Sequence, residues 1–406
     1  MSSWQPIYAR RAERMKASEI RELLKLLERP GVISFAGGIP DPALFPAAAA
    51  TQAYGEVLAD QAGASAALQY SVSEGYAPLR EWIVGHMAGR GVPASADNIL
   101  ITSGSQQALD FLGKLLLTPG DTALVTAPTY LGALQAFSAY EPRYDVIRPH
   151  ASNRTPASYA DEAAKATSGA RVKFAYVVPD FANPTGDTLS LAARGDILDL
   201  AAELDVPVLE DSAYSALRLE GDELPALQAI DAGRSGSLDR SRVIYLGTFS
   251  KTVAPGLRVG WVCASRAIIG RLVLIKQASD LNVSAINQMV MHRLVEGGRH
   301  AELIATARAH YRRKRDAMLG SLEAEMPSGV SWTRPEGGLF VWATLPESMS
   351  GAALLERAVE EAKVAFVPGA AFFHDGSGAN TIRLSYSLPQ EPTIAEGIGR
   401  LAALLR

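Results

Sequence analysis

Lys251 follows an apolar run, Val243-Ile244-Tyr245-Leu246, and a turn of mostly small residues, Gly247-Thr248-Phe249-Ser250. Such a run fits a strand buried on both faces of a parallel sheet. A lysine just past the strand lies at the crevice where open α/β sheets bind ligands. There it can serve as an imine-forming amine. That chemistry needs the neutral form, and so a pKa well below the ordinary value of about 10.4. Taken alone, Lys251 is one of 39 Lys and Arg residues, and most of these face solvent in folded proteins.

Other chemistry-bearing residues raise its standing. Arg258 precedes a second apolar run, Val259-Gly260-Trp261-Val262. Gly104 and Ser105 sit between Ile99-Leu100-Ile101 and a helical pattern of Leu109, Leu112, Leu115 and Leu116. Free amides and the dipole at such a helix start suit an anion, although Ser105 would equally serve as a plain N-cap. Tyr130, Asn183 and Asp211 each follow a further apolar run, at 123–125, 172–178 and 206–209.

These groups require a particular scaffold. Strands expected at 99–101, 123–125, 172–178, 206–209 and 243–246 alternate with helices at 109–116, 131–140 and 191–204. That alternation predicts an α/β fold with a doubly wound, mostly parallel sheet. Gly104, Tyr130, Asn183, Asp211 and Lys251 then converge on one sheet edge. Past residue 281 the pattern changes to long helices at 285–295 and 301–325. Short strands follow at 339–343, 364–367 and 381–386, the last holding Arg383. We expect a large domain at 46–284 and a smaller α+β domain at 285–406. The smaller one is joined by an N-terminal arm at 1–45 that includes a helix over 18–27 and a short strand at 32–35. Gly37-Gly38 after that strand reads as a turn that also lets backbone approach a ligand closely.

Composition narrows the function classes. The chain has 406 residues, 48% hydrophobic, and a net charge of −4, which argues against a nucleic-acid footprint. No apolar stretch reaches the roughly 18 residues of a membrane span. The start lacks a signal-peptide apolar region, so a cytoplasmic location is expected. The single cysteine, Cys263, excludes an internal disulfide and a multi-cysteine zinc site, and no metal site is expected. P-loop, H-E-x-x-H and G-x-S-x-G motifs are absent.

The ordered set Ser103-Gly104-Ser105-Gln106, Tyr130, Asn183-Pro184-Thr185-Gly186, Asp211-Ser212-Ala213-Tyr214, Ser250-Lys251, Arg258 and Arg383 resembles the fold-type I, pyridoxal-phosphate-dependent aminotransferases of class I/II. The likeness spans essentially the whole chain. Ser18-Glu19-Ile20-Arg21-Glu22-Leu23-Leu24, Ser34-Phe35-Ala36-Gly37-Gly38 and Leu68-Gln69-Tyr70 look closest to the 2-aminoadipate and kynurenine aminotransferase branch.

The resemblance implies pyridoxal 5'-phosphate as cofactor and a ping-pong reaction through an internal aldimine on Lys251, which then shuttles the proton. It implies that Asp211 pairs with the pyridine nitrogen, that Asn183 and Tyr214 bond the phenolic oxygen, and that Tyr130 stacks on the ring. Gly104, Ser105, Gln106, Thr248, Ser250 and Arg258 would hold the phosphate. Arg258 should dominate there: a charged hydrogen bond gives about 1.5–3 kcal/mol, a helix dipole about 0.3–1. Tyr70 would reach the phosphate of the other subunit of a homodimer with shared sites. Arg383 and Gly38 would receive the substrate α-carboxylate, with Asn183 beside them. Ser18 and Arg21 map onto the branch's mobile helix, where Arg21 would pair with the distal carboxylate of glutamate or 2-aminoadipate and swing out for leucine or aromatic side chains.

Three positions depart from the branch's usual pattern: Ala182, Ser212 and Thr248 stand where many members have Gln, Asp and Ser. None removes a catalytic group. A lyase or synthase could use the same cofactor cage. A cofactor-binding regulator would need an added DNA-binding domain.

Overall fold

The computed structural model describes residues 4, 7–15, 31–149, 152–166 and 169–406. Seven strands form the central sheet: β2 (Ile99–Thr102), β3 (Thr122–Val125), β4 (Arg143–Val146), β5 (Val172–Val177), β6 (Val208–Asp211), β7 (Val243–Thr248) and β8 (Gly260–Cys263). Their order is β2-β8-β7-β6-β5-β3-β4, and every neighbouring pair is parallel except those made by β8. The second apolar run is thus an antiparallel insert. It returns from β7 through the short connection that carries Lys251, too short for a helical crossover to a parallel strand.

Alternating residues of each strand feed two layers. Leu209, Ile244, Leu246 and Val262 pack with helices Ser105–Leu116, Leu131–Ser138 and Arg266–Ser279. Val172, Ala175, Val177, Val208 and Val243 pack on the other face with helices Pro156–Ala166, Leu191–Glu203 and Leu227–Ser235. Burial on both faces accounts for the near-continuous apolar runs.

A four-stranded antiparallel sheet forms beyond it, in the order β12 (Val367–Pro368), β13 (Thr381–Ser385), β10 (Phe340–Thr344), β9 (Ser331–Trp332). Strand β1 (Ile33–Ser34) pairs in parallel with β11 (Val364–Ala365), so the arm joins the C-terminal part of the chain. Helix Ala285–Val295 buries Val290, Met291, Leu294 and Val295 among residues of helices Ala47–Val57 and Ala77–Gly89. Its packing is therefore with the helices that precede the central sheet. Among the described residues no helix is long and apolar enough to cross a membrane, and no group of His, Cys, Asp and Glu is placed to hold a metal ion.

Candidate active site

Register sets the site. Thr102 and Thr248 both pair with Gly260, from opposite sides, and Asp211 pairs with Leu246. The chain leaves β2, β6 and β7 at one edge, where Asp211 at the end of β6 meets the loops carrying Gly104 and Lys251. A cavity of about 150 Å³ opens at that edge. Ser105, Gln106, Tyr130, Asn183, Asp211, Tyr214, Thr248, Ser250, Lys251 and Arg258 line it, with Val178, Ala213 and Pro255.

Lys251 is half-buried, and its Nζ donates to Gly38 O at 3.2 Å. Burial holds its pKa down to about 8, aided by the positive charges of Arg383 and Arg258 and opposed by Asp211. Tyr214 lies under the amine, its ring centre 5.7 Å from Nζ, and stacks edge-on against Phe340.

Asp211 is buried at the end of β6. Its Oδ2 accepts from Tyr176 Oη at 2.8 Å, while Oδ1 is buried without a protein partner. Burial raises the carboxyl to about 6 against the lowering pull of Tyr176, the Ala213 amide and Lys251. A buried unpaired carboxylate oxygen is costly unless a ligand supplies its donor.

The anion cradle lies at the other end. Gly104, at φ +78°, is the N-cap of helix Ser105–Leu116, and Ser105 is its first residue. Ser105 is therefore not the cap, and its hydroxyl lines the cavity. A Cβ at Gly104 would lie 2.5 Å from Arg258 Nη2, so both φ and space call for glycine. Arg258 is itself left-handed, at φ +56°, and donates to Ser103 O and Pro255 O, each at 3.1 Å. The Thr248 and Ser250 hydroxyls bond each other at 2.9 Å. Gln106 Nε2 donates to Gly132 O at 2.7 Å. Burial and the charge of Asp211 push the Tyr130 hydroxyl up to about 12, so it stays protonated at neutral pH.

Arg383 is buried in β13, its guanidinium 4.3 Å from the Phe340 ring centre and 5.0 Å from that of Phe372. It donates from Nη1 to Asn183 Oδ1 at 2.8 Å and from Nη2 to Ala36 O at 2.7 Å, while Nε lacks a protein partner. Burial lowers its pKa to about 10, which leaves it charged near neutrality. A Cβ on Gly38 would come within 2.6 Å of Phe340 Cζ, so this backbone lies against the ring with no room for a side chain.

Tyr70 is 78% exposed after helix Gln61–Leu68 and does not line the cavity of its own chain. Ser18 and Arg21 fall outside the described residues. Tyr176, Phe340 and Phe372 contribute without having been singled out from the sequence, and Ala36, quoted there only within a motif, contributes its carbonyl. Tyr176 pairs with Leu209 across β5 and β6, which puts it on the face that Asp211 shares two residues on. A tyrosine hydroxyl in a strand whose other polar side chain is Lys173 is the one hint in the sequence.

The family model described as aminotransferase class I and II matches residues 30–401. The chain is 43% identical to aromatic-amino-acid aminotransferase 1 of Thermococcus litoralis, covering 99% of this chain and 95% of that one. It is also 43% identical to the 2-aminoadipate transaminase of Thermus thermophilus, covering 100% and 98%. Among solved structures it is similar to LysN, the α-aminoadipate aminotransferase of Thermus thermophilus, complexed with N-(5'-phosphopyridoxyl)-L-leucine. The TM-score is 0.88 and the identity 41%, over 100% of this chain and 98% of that one.

Proposed function

The chain belongs to the class I and II aminotransferases, and from that premise we propose that it moves an amino group from an L-amino acid to a 2-oxo acid such as 2-oxoglutarate in two successive half-reactions. The donors we propose are 2-aminoadipate and glutamate, with leucine and aromatic amino acids as further ones. Relatives named for 2-aminoadipate and for aromatic amino acids support that range.

The cofactor is pyridoxal 5'-phosphate, and the residues present fit it. The single observation that carries the reading is Asp211 Oδ1, buried and unpartnered in the wall that also holds Lys251. It matches a protonated ring nitrogen. At the other end, helix amides, two hydroxyls and Arg258 match a phosphate. The cofactor supplies an electron sink for the pair left when the substrate's Cα proton departs.

Each side chain then has a task. Lys251 Nζ, with a neutral fraction near pH 8, takes the Cα proton and returns it. Asp211 holds the proton on the ring nitrogen. Asn183 and Tyr214 bond the phenolic oxygen, and Tyr130 covers the ring face. Arg383 takes the substrate α-carboxylate in a planar fork, with Gly38 backbone alongside. Tyr70, exposed on its own chain, reaches the phosphate of a second copy in a homodimer. We place the protein in the cytoplasm.

Absorption spectra of the purified protein test the reading. Added L-glutamate is expected to shift a band at the visible edge into the ultraviolet. A band that glutamate leaves unchanged would rule out glutamate as donor. For side-chain selection, Arg21→Ala should raise KM for 2-oxoglutarate well above any rise for the 2-oxo acid of leucine. Equal rises would remove Arg21 from substrate recognition.

A further inference from the structure

Lys314 is fully buried in helix Arg299–Glu325, away from the cavity. Its ammonium has three donors, and all three are used. They meet Asp41 Oδ2 at 2.5 Å, Ser387 O at 3.0 Å and Leu388 O at 3.1 Å. The acceptors belong to two different segments. Asp41 closes the stretch that offers Ala36 O to Arg383 and Gly38 O to Lys251. Ser387 and Leu388 lie two and three residues past the end of the strand that carries Arg383.

Asp41 is as fully engaged. Its amide donates to Tyr311 Oη at 2.9 Å, and Oδ1 accepts from the Ala43 amide at 3.0 Å. His310 Nε2 lies 2.9 Å from Oδ2. Burial pushes the carboxyl up, but these bonds and Lys314 outweigh it and hold it below its ordinary value. The two segments also approach in van der Waals contact, since a Cβ on Gly37 would lie 3.4 Å from Leu388 Cδ1.

We propose that Lys314 and Asp41 are positioning residues that set the width of the slot between Arg383 and the Gly38 backbone, and so the affinity for the substrate α-carboxylate. This rests on the reading of Arg383 and Gly38 given above. One ammonium tied to both walls fixes their separation in a way that two independent contacts would not. The phosphate end of the cofactor cradle, with Ser105, Thr248, Ser250 and Arg258, is formed by other elements and makes no contact with the pair.

The test uses the dimeric holoenzyme and three variants. Asp41→Asn/Lys314→Met removes both charges together, so no buried ion is left alone. Lys314→Arg keeps the charge but cannot bring three donors to one point. Arg383→Lys probes the slot itself. Readouts are KM and kcat with L-glutamate, spectroscopic titration with the non-reacting dicarboxylate maleate, and the dissociation constant of the cofactor. We expect the double variant to raise KM and the maleate dissociation constant about 10- to 100-fold, the scale of one charged hydrogen bond. Lys314→Arg should give a smaller rise in the same direction, with kcat and cofactor affinity near the parent values. Parent-like KM and maleate binding in Lys314→Arg together with the double variant, or with a double variant that does not fold, would overturn the proposal and leave the pair as a support of the fold. A loss of cofactor affinity in step with KM would overturn it as well. If Arg383→Lys leaves maleate binding unchanged, the carboxylate slot itself is misassigned, and the proposal falls with it.

Discussion

Lys251→Ala is expected to lose transamination by roughly 10⁴-fold or more in kcat. General base catalysis alone contributes about 10²–10⁴-fold, and the proposed function also makes this residue the imine-forming amine. Lys251→Arg should be as inactive, because a guanidinium remains protonated and cannot take a proton at neutral pH. The half-reaction with L-glutamate, followed by absorption, checks both variants. Activity within about tenfold of the parent, little more than 1 kcal/mol of barrier, would remove Lys251 from the chemistry. A small exogenous amine should restore part of the rate in Lys251→Ala and none in Lys251→Arg, where the space stays filled.

The same lysine makes a pH prediction in the cofactor-free protein. Its pKa lies near 8 because burial and the guanidinium groups of Arg383 and Arg258 disfavour the charged form. The neutral, reactive fraction therefore rises about tenfold per pH unit up to about 8 and then levels, whereas an ordinary lysine climbs to about 10.4. Labelling with an amine-reactive reagent, read by peptide mass spectrometry, checks this. A Lys251 profile that climbs to the ordinary lysine value would contradict the reading of the site's electrostatics.

The convergence of Lys251, Asp211, Asn183, Tyr130 and Gly104 on one sheet edge was legible in the sequence for one physical reason. In a parallel sheet every strand exits at the same edge, so a polar residue after each apolar run is placed by topology alone. The alternation that reveals the topology is local. What was not legible depends on register and on contacts between distant segments. The direction of β8 follows from the short Lys251 connection, but its pairing with both β2 and β7 does not. Tyr176 bonds Asp211 only because Tyr176 and Leu209 share a register. Helix Glu391–Ala403, which buries Ile394, Ile398 and Leu401, is a further element not expected from the sequence. Lys314 was invisible for a different reason. On a helix with five other Lys and Arg residues, nothing local separates Lys314 and Arg315, the two that turn inward, from the rest. The Ala36 carbonyl and the Phe340 ring had no signal of their role, because a carbonyl and a ring become site components only when Arg383 arrives from far along the chain.

Asp211→Ala should cost about 10²- to 4 × 10³-fold in kcat/KM with L-glutamate. Asp211 Oδ1 is buried and unpartnered among protein groups, so the carboxylate faces whatever cation the ligand presents. Deleting one partner of a buried ion pair costs about 3–5 kcal/mol, and each 1.4 kcal/mol is tenfold. Asp211→Asn separates charge from shape. It keeps the side-chain volume and a hydrogen-bond acceptor for Tyr176, yet carries no negative charge to hold a proton on the ring nitrogen. Its loss should approach that of alanine, while its cofactor affinity stays closer to the parent. Asp211→Glu restores the charge, but the added methylene moves the carboxylate by more than about 1 Å from the position that Tyr176 fixes, so it should recover only part of the rate. If Asp211→Asn were as active as the parent, the carboxylate would be a structural acceptor for Tyr176 and the electron-sink argument would lose its anchor. The order Asp, Glu, Asn, Ala in kcat, with cofactor affinity falling mainly at Ala, is what a charge-based role requires. A packing-based role would instead place Asn beside Asp and Glu last.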